Sequence, residues 1–378
     1  MSRSTRRGAK VSLLLVLVGC LFIAAASAFA IQVPDLPAAA GRPSATSPPV
    51  AGQYPLVGVQ FQGTWSNYTD AQRKKLLDDL VNMGVHTVRI GVSWAMLQPQ
   101  QPTSTDSGWS WGWGIRRVDS VVSMALARGL VVHATFGRTP AWANGGAGEA
   151  AAPTHLSDWR RAVRFVATRY RGKISSWEIW NEPNLPTYFA GGTPASYTKL
   201  LCAAYPIIHA VSKDTPVVFG GVAGNDWRFI ERSYQAGVKG CFDVLAVHPY
   251  QRWGLSPGAS TPNADPSYFG NVSLVRQVQR RFHDLKPIWF TEFGWSTHVN
   301  SPKLLDYQRG VSEQVQARYL VRTLELTQQR YPYVARAYIY EARDENAFDV
   351  DNDNYGLFTL SLAPKPAVAA LREYLRAR

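Results

Sequence analysis

Short apolar runs alternate along the chain with longer segments in which apolar residues recur every three or four positions. The short runs are rich in β-branched and aromatic residues, which favours strands, whereas the longer spacing is typical of amphipathic helices. The predicted strands are Val57–Phe61, Thr87–Val92, Leu130–Thr135, Ser176–Trp180, Pro216–Gly220, Val244–Val247, Ile288–Thr291 and Ala335–Tyr340. The predicted helices are Asp70–Met83, Asp119–Arg128, Leu156–Tyr170, Ser196–Ser212, Trp227–Gln235, Ser273–Leu285, Glu313–Arg330 and Ala367–Ala377.

This order of elements predicts the α/β fold class. Strands that are each followed by a helix close into a parallel barrel, so we expect a (β/α)8 TIM barrel. The 378 residues can bury a core of that size, and no linker interrupts the pattern after Pro55. The prediction is one barrel domain over residues 54–378, with its chemistry on the loops that follow the strands.

The first 53 residues do not fit the barrel pattern. Residues 11–30 are apolar and uncharged, follow four basic residues and end in the small-residue sequence Ala28-Phe29-Ala30. This layout is typical of a signal peptide, but it is also long enough for an N-terminal membrane anchor, and both interpretations stay open. Residues 31–53 are rich in Pro, Ala and Ser and predict a flexible linker. Either outcome predicts an extracytoplasmic barrel, secreted or anchored to the membrane.

The net charge bears on the binding partners of the chain, and the cysteine content bears on whether it forms a disulfide. The formal net charge is +13, and because four positive charges precede the apolar stretch, the rest of the chain carries +9. This positive charge favours an acidic polymer, whereas the scatter of the basic residues and the predicted export argue against nucleic acid as a partner. Cys202 and Cys241 are the cysteines beyond the N-terminal segment, so a disulfide and two free thiols both remain open.

Two glutamates leave predicted strands at the same end of the barrel. The fourth strand runs into Asn181-Glu182-Pro183, and the seventh runs into Glu292-Phe293-Gly294. These strands face each other across the barrel mouth, so about 5 Å between the carboxyl groups is attainable. Such a pair can cleave a glycosidic bond with retention, Glu182 protonating the leaving oxygen and Glu292 attacking the anomeric carbon. Arg89, on the second strand, is the candidate for keeping Glu292 ionised.

The sequences around both glutamates resemble known motifs. Trp-Glu-Ile-Trp-Asn-Glu-Pro-Asn, starting at Trp177, and Trp-Phe-Thr-Glu-Phe-Gly-Trp-Ser-Thr, starting at Trp289, are similar to the acid/base and nucleophile motifs of clan A glycoside hydrolases. Family 39 and related bacterial exopolysaccharide-cleaving glycosidases are the most similar. The resemblance extends from about Tyr54 to Ala367. It implies a retaining enzyme that uses the two glutamates as above.

The resemblance also implies roles for neighbouring residues. Asn181 would hydrogen-bond the 2-hydroxyl group of the substrate, and Arg89 would brace the nucleophile. His248 and Tyr250, from the sequence Ala-Val-His-Pro-Tyr, would line the site, and one of them would contact the nucleophile. The eighth strand departs from the family, because Tyr340 stands where many clan members carry Trp.

Tryptophans are frequent after the predicted strands. Sugars stack their C–H faces on aromatic rings, so a cleft for a polysaccharide would use several of them. We predict that Trp94, Trp142 and Trp295 line this cleft and bind substrate, and we leave the Trp109–Trp113 cluster open between cleft and core.

The expected activity is that of an O-glycosyl hydrolase, xylosidase- or cellulase-like, acting on β-glycosidic bonds of a polysaccharide or oligosaccharide. No cofactor is predicted. No metal is predicted either, because the acidic stretch Asp344–Asn354 lacks the turn glycine and closing glutamate of a calcium loop. Two alternatives remain: a non-catalytic carbohydrate-binding barrel, and a transglycosylase that uses the same residues.

Overall fold

Nine parallel strands form one sheet in the computed structural model, which describes residues 56–65, 67–251, 254–259, 265–304, 308–346 and 351–377. These residues belong to the compact unit Ser44–Arg378. The strands are β1 (Leu56–Gln60), β2 (Thr87–Ser93), β3 (Val131–Gly137), β4 (Ser176–Ile179), β5 (Val217–Phe219), β6 (Val222–Ala223), β7 (Leu245–His248), β8 (Ile288–Phe293) and β9 (Val334–Ile339). Their order in the sheet is β5-β4-β3-β2-β1-β9-β8-β7-β6.

The two ends of this order, β5 and β6, are consecutive in the chain and separated by Gly220 and Gly221 alone. A side chain at Gly221 would collide with the ring of His248, which explains a glycine at the interruption. A parallel bridge between Val218 and Val244 joins β5 to the segment that enters β7. The two short strands therefore act as one interrupted fifth strand, and the predicted (β/α)8 barrel is confirmed.

Helices follow the strands as the apolar spacing predicts. The described helices are α1 (Asp70–Met83), α2 (Trp94–Leu97), α3 (Arg116–Leu126), α4 (Leu156–Arg169), α5 (Pro194–Val211), α6 (Trp227–Gln235), α7 (Val272–Arg281), α8 (Glu313–Arg330) and α9 (Pro366–Arg376). Local sequence sets their ends: α1 begins at a capping box between Thr69 and Gln72 and stops at Gly84, whose φ of 91° ends the helix.

The barrel interior is packed with side chains rather than open. Its lower part holds Trp289 and Tyr338, both fully buried, and the ring of His133 packs between them. A second, larger apolar layer lies between the sheet and the helices. The filled floor leaves the carboxyl ends of the strands as the place for a site.

Cys202 in α5 and Cys241, in the loop before β7, form a disulfide with their Cα atoms 4.7 Å apart. This settles the choice between bonded and free cysteines that the sequence left open. No helix in the described ranges is long and apolar enough to cross a membrane. The predicted signal or anchor, residues 1–30, and the predicted linker, residues 31–53, lie outside the described residues.

Candidate active site

Glu182 and Glu292 meet at the mouth of the barrel. Glu292 is part of β8, whereas Glu182 follows β4 through a backbone turn with φ values of 71° at Trp180 and 45° at Glu182. Non-glycine residues seldom adopt this left-handed conformation, which re-aims the chain as it leaves the sheet. Both glutamates are 8% exposed, and a carboxylate oxygen of each lies within 4.8 Å of the other. The two strand ends thus bring the predicted pair together.

Arg89 of β2 lies beneath the pair and is almost fully buried. Its guanidinium donates at 2.6 Å to Glu292 Oε1 and at 2.8 Å to Asn181 Oδ1. It also bonds Gln60 and Glu178, each at 2.8 Å. With Oδ1 of Asn181 occupied, the NH2 group of that amide is the one left to donate into the cavity that Asn181 lines.

Glu178, four residues before Glu182, has a different environment. It is fully buried and accepts hydrogen bonds from Arg89, from the Gly221 backbone N–H at 2.7 Å and from Thr291, and it contacts His133 Nε2 at 2.9 Å. Burial alone would raise its pKa, but the charge of Arg89 and the bond with His133 hold the pKa well below its usual range. Glu178 is therefore an ionised structural partner of Arg89.

Glu182 has one side-chain partner among the described residues. Nδ1 of His248, from β7, lies 2.8 Å from Glu182 Oε1. Burial raises the pKa of Glu182, the bond with His248 opposes this rise, and the nearby charge of Glu292 adds to it. The net effect is a raised pKa, which favours a protonated Glu182 beside a charged neighbour.

Glu292 is surrounded by hydrogen-bond donors. Tyr250 Oη donates to Glu292 Oε2 at 2.9 Å, and Arg89 holds the other oxygen. His248 Nδ1 lies 3.6 Å from Glu292 Oε2, while its Nε2 lies 3.1 Å from Thr291 Oγ1. Although burial lowers the pKa of His248, the charge of Glu292 and the bond to Glu182 raise it overall. Both carboxylate oxygens of Glu292 are thus held by donors from neighbouring strands and loops.

A cavity of about 490 Å³ opens above these residues. Its floor includes Arg89, Asn181 and Glu292, and its walls carry five aromatic rings from four of the segments that follow strands. These rings belong to Trp65, Trp113, Trp180, Tyr188 and Tyr340. Tyr340, at the position where the resemblance expects Trp, therefore supplies a wall of the cavity.

Three predicted cleft residues do not line this cavity. Trp94 is fully buried, with its ring edge-on to Trp142 and its Nε1 bonded to Gln98. Trp142 is half-buried and donates to the Gln98 carbonyl oxygen. Trp295 is 4% exposed and donates to the Leu255 carbonyl oxygen. The N–H group of each indole is bonded to a neighbouring loop residue. The structure therefore corrects the prediction that these three tryptophans line the cleft.

The Trp109–Trp113 cluster after β2 contains both a residue of the core and a residue of the cavity. Trp109 stacks on Phe165 with ring centroids 3.6 Å apart, which is core packing. Trp113 is 50% exposed and lines the cavity. Trp65, which follows β1, also lines the cavity. The sequence pattern does not indicate whether its ring points into the cavity or into the core.

Glu182, His248 and Glu292 form the group of described residues whose atoms could jointly hold a metal ion. In the structure these atoms are engaged with protein partners: Glu182 with His248, and Glu292 with Arg89 and Tyr250. The neighbouring guanidinium also supplies the positive charge that a metal would otherwise provide at Glu292. The arrangement can donate a proton and present a nucleophile without a metal.

Sequence comparison finds distant relatives. The beta-xylosidase of Caldicellulosiruptor saccharolyticus is 23% identical over 235 residues, covering 58% of this chain and 46% of the relative. Endo-1,4-beta-xylanase C of Phanerodontia chrysosporium is 25% identical over 119 residues, covering 30% of this chain and 27% of the relative. The matches thus span less than half the length of either relative.

Solved structures share the fold. A family 39 enzyme from Xanthomonas axonopodis pv. citri superposes with a TM-score of 0.65 at 20% identity, covering 88% of this chain and 67% of that one. A family 39 beta-xylosidase from Caulobacter crescentus gives a TM-score of 0.64 at 20% identity, covering 89% and 73% of the two chains.

A family model covers most of the barrel. It is described as cellulase (glycosyl hydrolase family 5), and it matches residues 49–325, well over half of the chain. That segment contains both glutamates, Arg89, Asn181, His248 and Tyr250. The chain therefore belongs to the family 5 glycosyl hydrolases of clan A.

Proposed function

We propose that this chain is a retaining β-glycosidase in which Glu182 is the general acid/base and Glu292 is the nucleophile. The observation that carries the proposal is the contrast between two glutamates whose oxygens lie within 4.8 Å of each other. One has a raised pKa, and the other accepts hydrogen bonds from Arg89 and Tyr250. Retaining enzymes hold their two carboxyl groups about 5–5.5 Å apart, close enough for direct attack on the sugar.

The residues divide the reaction into two displacements. In the first, Glu292 attacks the anomeric carbon while Glu182 gives its proton to the departing oxygen, which leaves a glycosyl ester on Glu292. In the second, the ionised Glu182 takes a proton from water, and the water oxygen displaces Glu292. Arg89 and Tyr250 hold Glu292 in place, and Asn181 donates to the sugar 2-hydroxyl.

The lining of the cavity suits a carbohydrate substrate. Its aromatic walls offer stacking faces for sugar rings, and Trp65 and Trp113 are 37% and 50% exposed at its edge. The relatives are named for xylosidase and xylanase activity, which supports a xylan- or glucan-like backbone. We propose a β-linked polysaccharide or oligosaccharide as substrate.

We also propose that the barrel works outside the cytoplasm, after export by residues 1–30 as a signal peptide or anchor. The basic and then apolar N-terminus supports this, and so does the Cys202–Cys241 disulfide, since such bonds persist in oxidising compartments. Fractionation of cells that produce the full chain tests it. Protein retained in the cytoplasm with reduced cysteines would contradict the proposal.

The activity test is reducing-end release by the full chain from xylan, mixed-linkage β-glucan, β-mannan and acidic β-linked polymers, with Glu292→Ala in parallel. Release by the wild type alone supports a glycosidase. Binding without release by either protein would favour a non-catalytic carbohydrate-binding barrel. Longer oligosaccharides among the products would favour a transglycosylase.

A further inference from the structure

We propose that Arg138 is a specificity-determining residue that binds the carboxylate of a uronic acid sugar in the substrate. The inference rests on the proposed function and names a substrate class for the same site. Arg138 is the first residue after β3, is half-buried, and lines the cavity.

The side chain of Arg138 is a cation with no anionic partner among the described residues. Within the described parts of the chain it makes no ion pair within 4.0 Å and no side-chain hydrogen bond. Its Cζ atom lies over the ring of Tyr188, 5.6 Å from the ring centroid. The other cavity cation, Arg89, has its donors engaged by four side chains. Arg138 therefore offers a planar set of N–H donors to whatever occupies the cavity.

Tyr188 lies close both to Arg138 and to the two glutamates of the reacting centre. Burial raises the pKa of Tyr188 to about 12, and the charges of Glu182 and Glu292 contribute to the rise while Arg138 opposes it. The charges of both glutamates and of the guanidinium thus all act on the hydroxyl group of one side chain, Tyr188. Tyr188 is fixed in turn by its carbonyl oxygen, which accepts from Trp180 Nε1 at 2.8 Å. A sugar next to the cleaved bond would lie within reach of Arg138.

The backbone at Arg138 is also unusual. Its φ of 68° lies in the left-handed region, which is strained for a non-glycine residue. The carbonyl oxygen of Arg138 holds this turn by accepting from Ala95 N–H at 3.0 Å. A glycine would adopt the conformation without strain, so an arginine here is best explained by its side chain.

A carboxylate fits this cation better than a hydroxyl group. Arginine binds carboxylates with two parallel N–H···O bonds, which add both strength and orientation. The net charge of +9 beyond the N-terminal segment would also attract an acidic polymer. Sulfated polymers share the negative charge but present a different geometry, so the test includes one.

The experiment compares each acidic polymer with its own carboxyl-reduced form, which keeps the linkages and replaces each carboxylate by an alcohol. The probes are hyaluronan, mannuronan and glucuronoxylan, with dextran sulfate as a competing anion. The readout is the ratio of kcat/KM on the acidic form to kcat/KM on the reduced form, for the full chain. We expect a ratio above 10 for at least one probe, and Arg138→Gln should lower it by about 10- to 100-fold.

Two further variants distinguish a direct contact between Arg138 and the carboxylate from a general effect of positive surface charge. Arg138→Lys keeps the charge without the planar donor set, so it should retain part of the ratio. Arg160→Gln removes one charge from the exposed surface of α4 and should retain the whole ratio. Thermal unfolding checks that each variant is folded.

The inference is overturned if every reduced polymer is cleaved as well as its acidic form. It is also overturned if Arg138→Gln keeps the preference, if Arg160→Gln loses it equally, or if dextran sulfate competes better than the carboxylated polymers. In each of these cases release from neutral polymers leaves the proposed function standing. No release from any probe, neutral, acidic or reduced, would overturn the proposed function itself.

Discussion

The ends of β4 and β8 present the same side chain in opposite electrostatic settings. Glu292 at β8 accepts hydrogen bonds from Arg89 and Tyr250, whereas Glu182 after β4 makes no hydrogen bond with that guanidinium and contacts His248. Both are nearly buried, so burial alone does not distinguish them. The difference teaches that the placement of one arginine assigns the roles, because it compensates the charge on one carboxylate and leaves burial to raise the pKa of the other.

The largest expected effect comes from removing the charged member. Glu292→Ala removes the proposed nucleophile and should lower kcat by at least about 10⁴-fold, measured by reducing-end release. Glu325→Ala, which removes a carboxylate from the surface of α8, is the matched control and should retain wild-type turnover. Substantial activity in a folded Glu292→Ala protein would assign the nucleophile to another residue.

Removing the protonated member should give a smaller loss that depends on the leaving group. Glu182→Ala should lower cleavage of a natural polysaccharide by about 10²- to 10⁴-fold, because no proton reaches the departing oxygen. A 2,4-dinitrophenyl β-glycoside needs no such proton, so formation of its glycosyl-enzyme should be largely spared. An equal loss on both substrates would place the proton donor elsewhere.

A weaker effect is expected from the hydrogen bond of Tyr250. Tyr250→Phe removes the 2.9 Å donor to Glu292 Oε2 and leaves Arg89 in place. The loss of one hydrogen bond to a charged group should lower kcat by about 10-fold, with an unchanged unfolding midpoint. If kcat stays at the wild-type value, Tyr250 does not position the nucleophile.

The smallest change is a shift in titration. The charge of Glu292 raises the pKa of Glu182, so Glu292→Gln should lower that pKa. Carbon-13 NMR of labelled glutamate carboxyl groups measures the shift, and loss of the signal in Glu182→Gln assigns it. In the wild type, kcat/KM should fall as pH rises through the raised pKa, because the proton donor is lost. A higher pKa in Glu292→Gln would contradict the coupling.

The sequence predicts the strand ends well because a carboxylate after an apolar run can be placed from local pattern alone. Asn181, Glu182 and Glu292 follow predicted strands, Arg89 lies within one, and the structure brings the four together. Parallel strands in a barrel all end at one rim, so a strand assignment is enough to predict that proximity.

The aromatic walls could not be predicted in the same way. Trp94 and Trp113 both follow β2, but one is fully buried against neighbouring rings and the other lines the cavity. The face that a loop indole presents depends on which neighbour accepts its N–H and fills the space around it. These are long-range contacts, such as Trp295 with the Leu255 carbonyl, and hydrophobic period carries no information about them.

The interruption of the fifth strand is a further feature that pattern alone does not give. The sequence from Pro216 to Gly220 predicts one strand that ends there, whereas the structure adds the short strand β6 after Gly220 and Gly221. The cause is the ring of His248 from β7, which takes the space a side chain would need at Gly221. That ring also bonds Glu182, so the interruption serves the site.

Retention of configuration is the most direct test of the two-glutamate account. Proton NMR of the sugar released in the first minutes of hydrolysis, before the anomers equilibrate, identifies the configuration of the new reducing end. The account predicts that the β anomer forms first, because attack by Glu292 and then by water inverts the anomeric carbon twice. The α anomer as first product would contradict it, since it would require water to attack directly and Glu292 to act as a base.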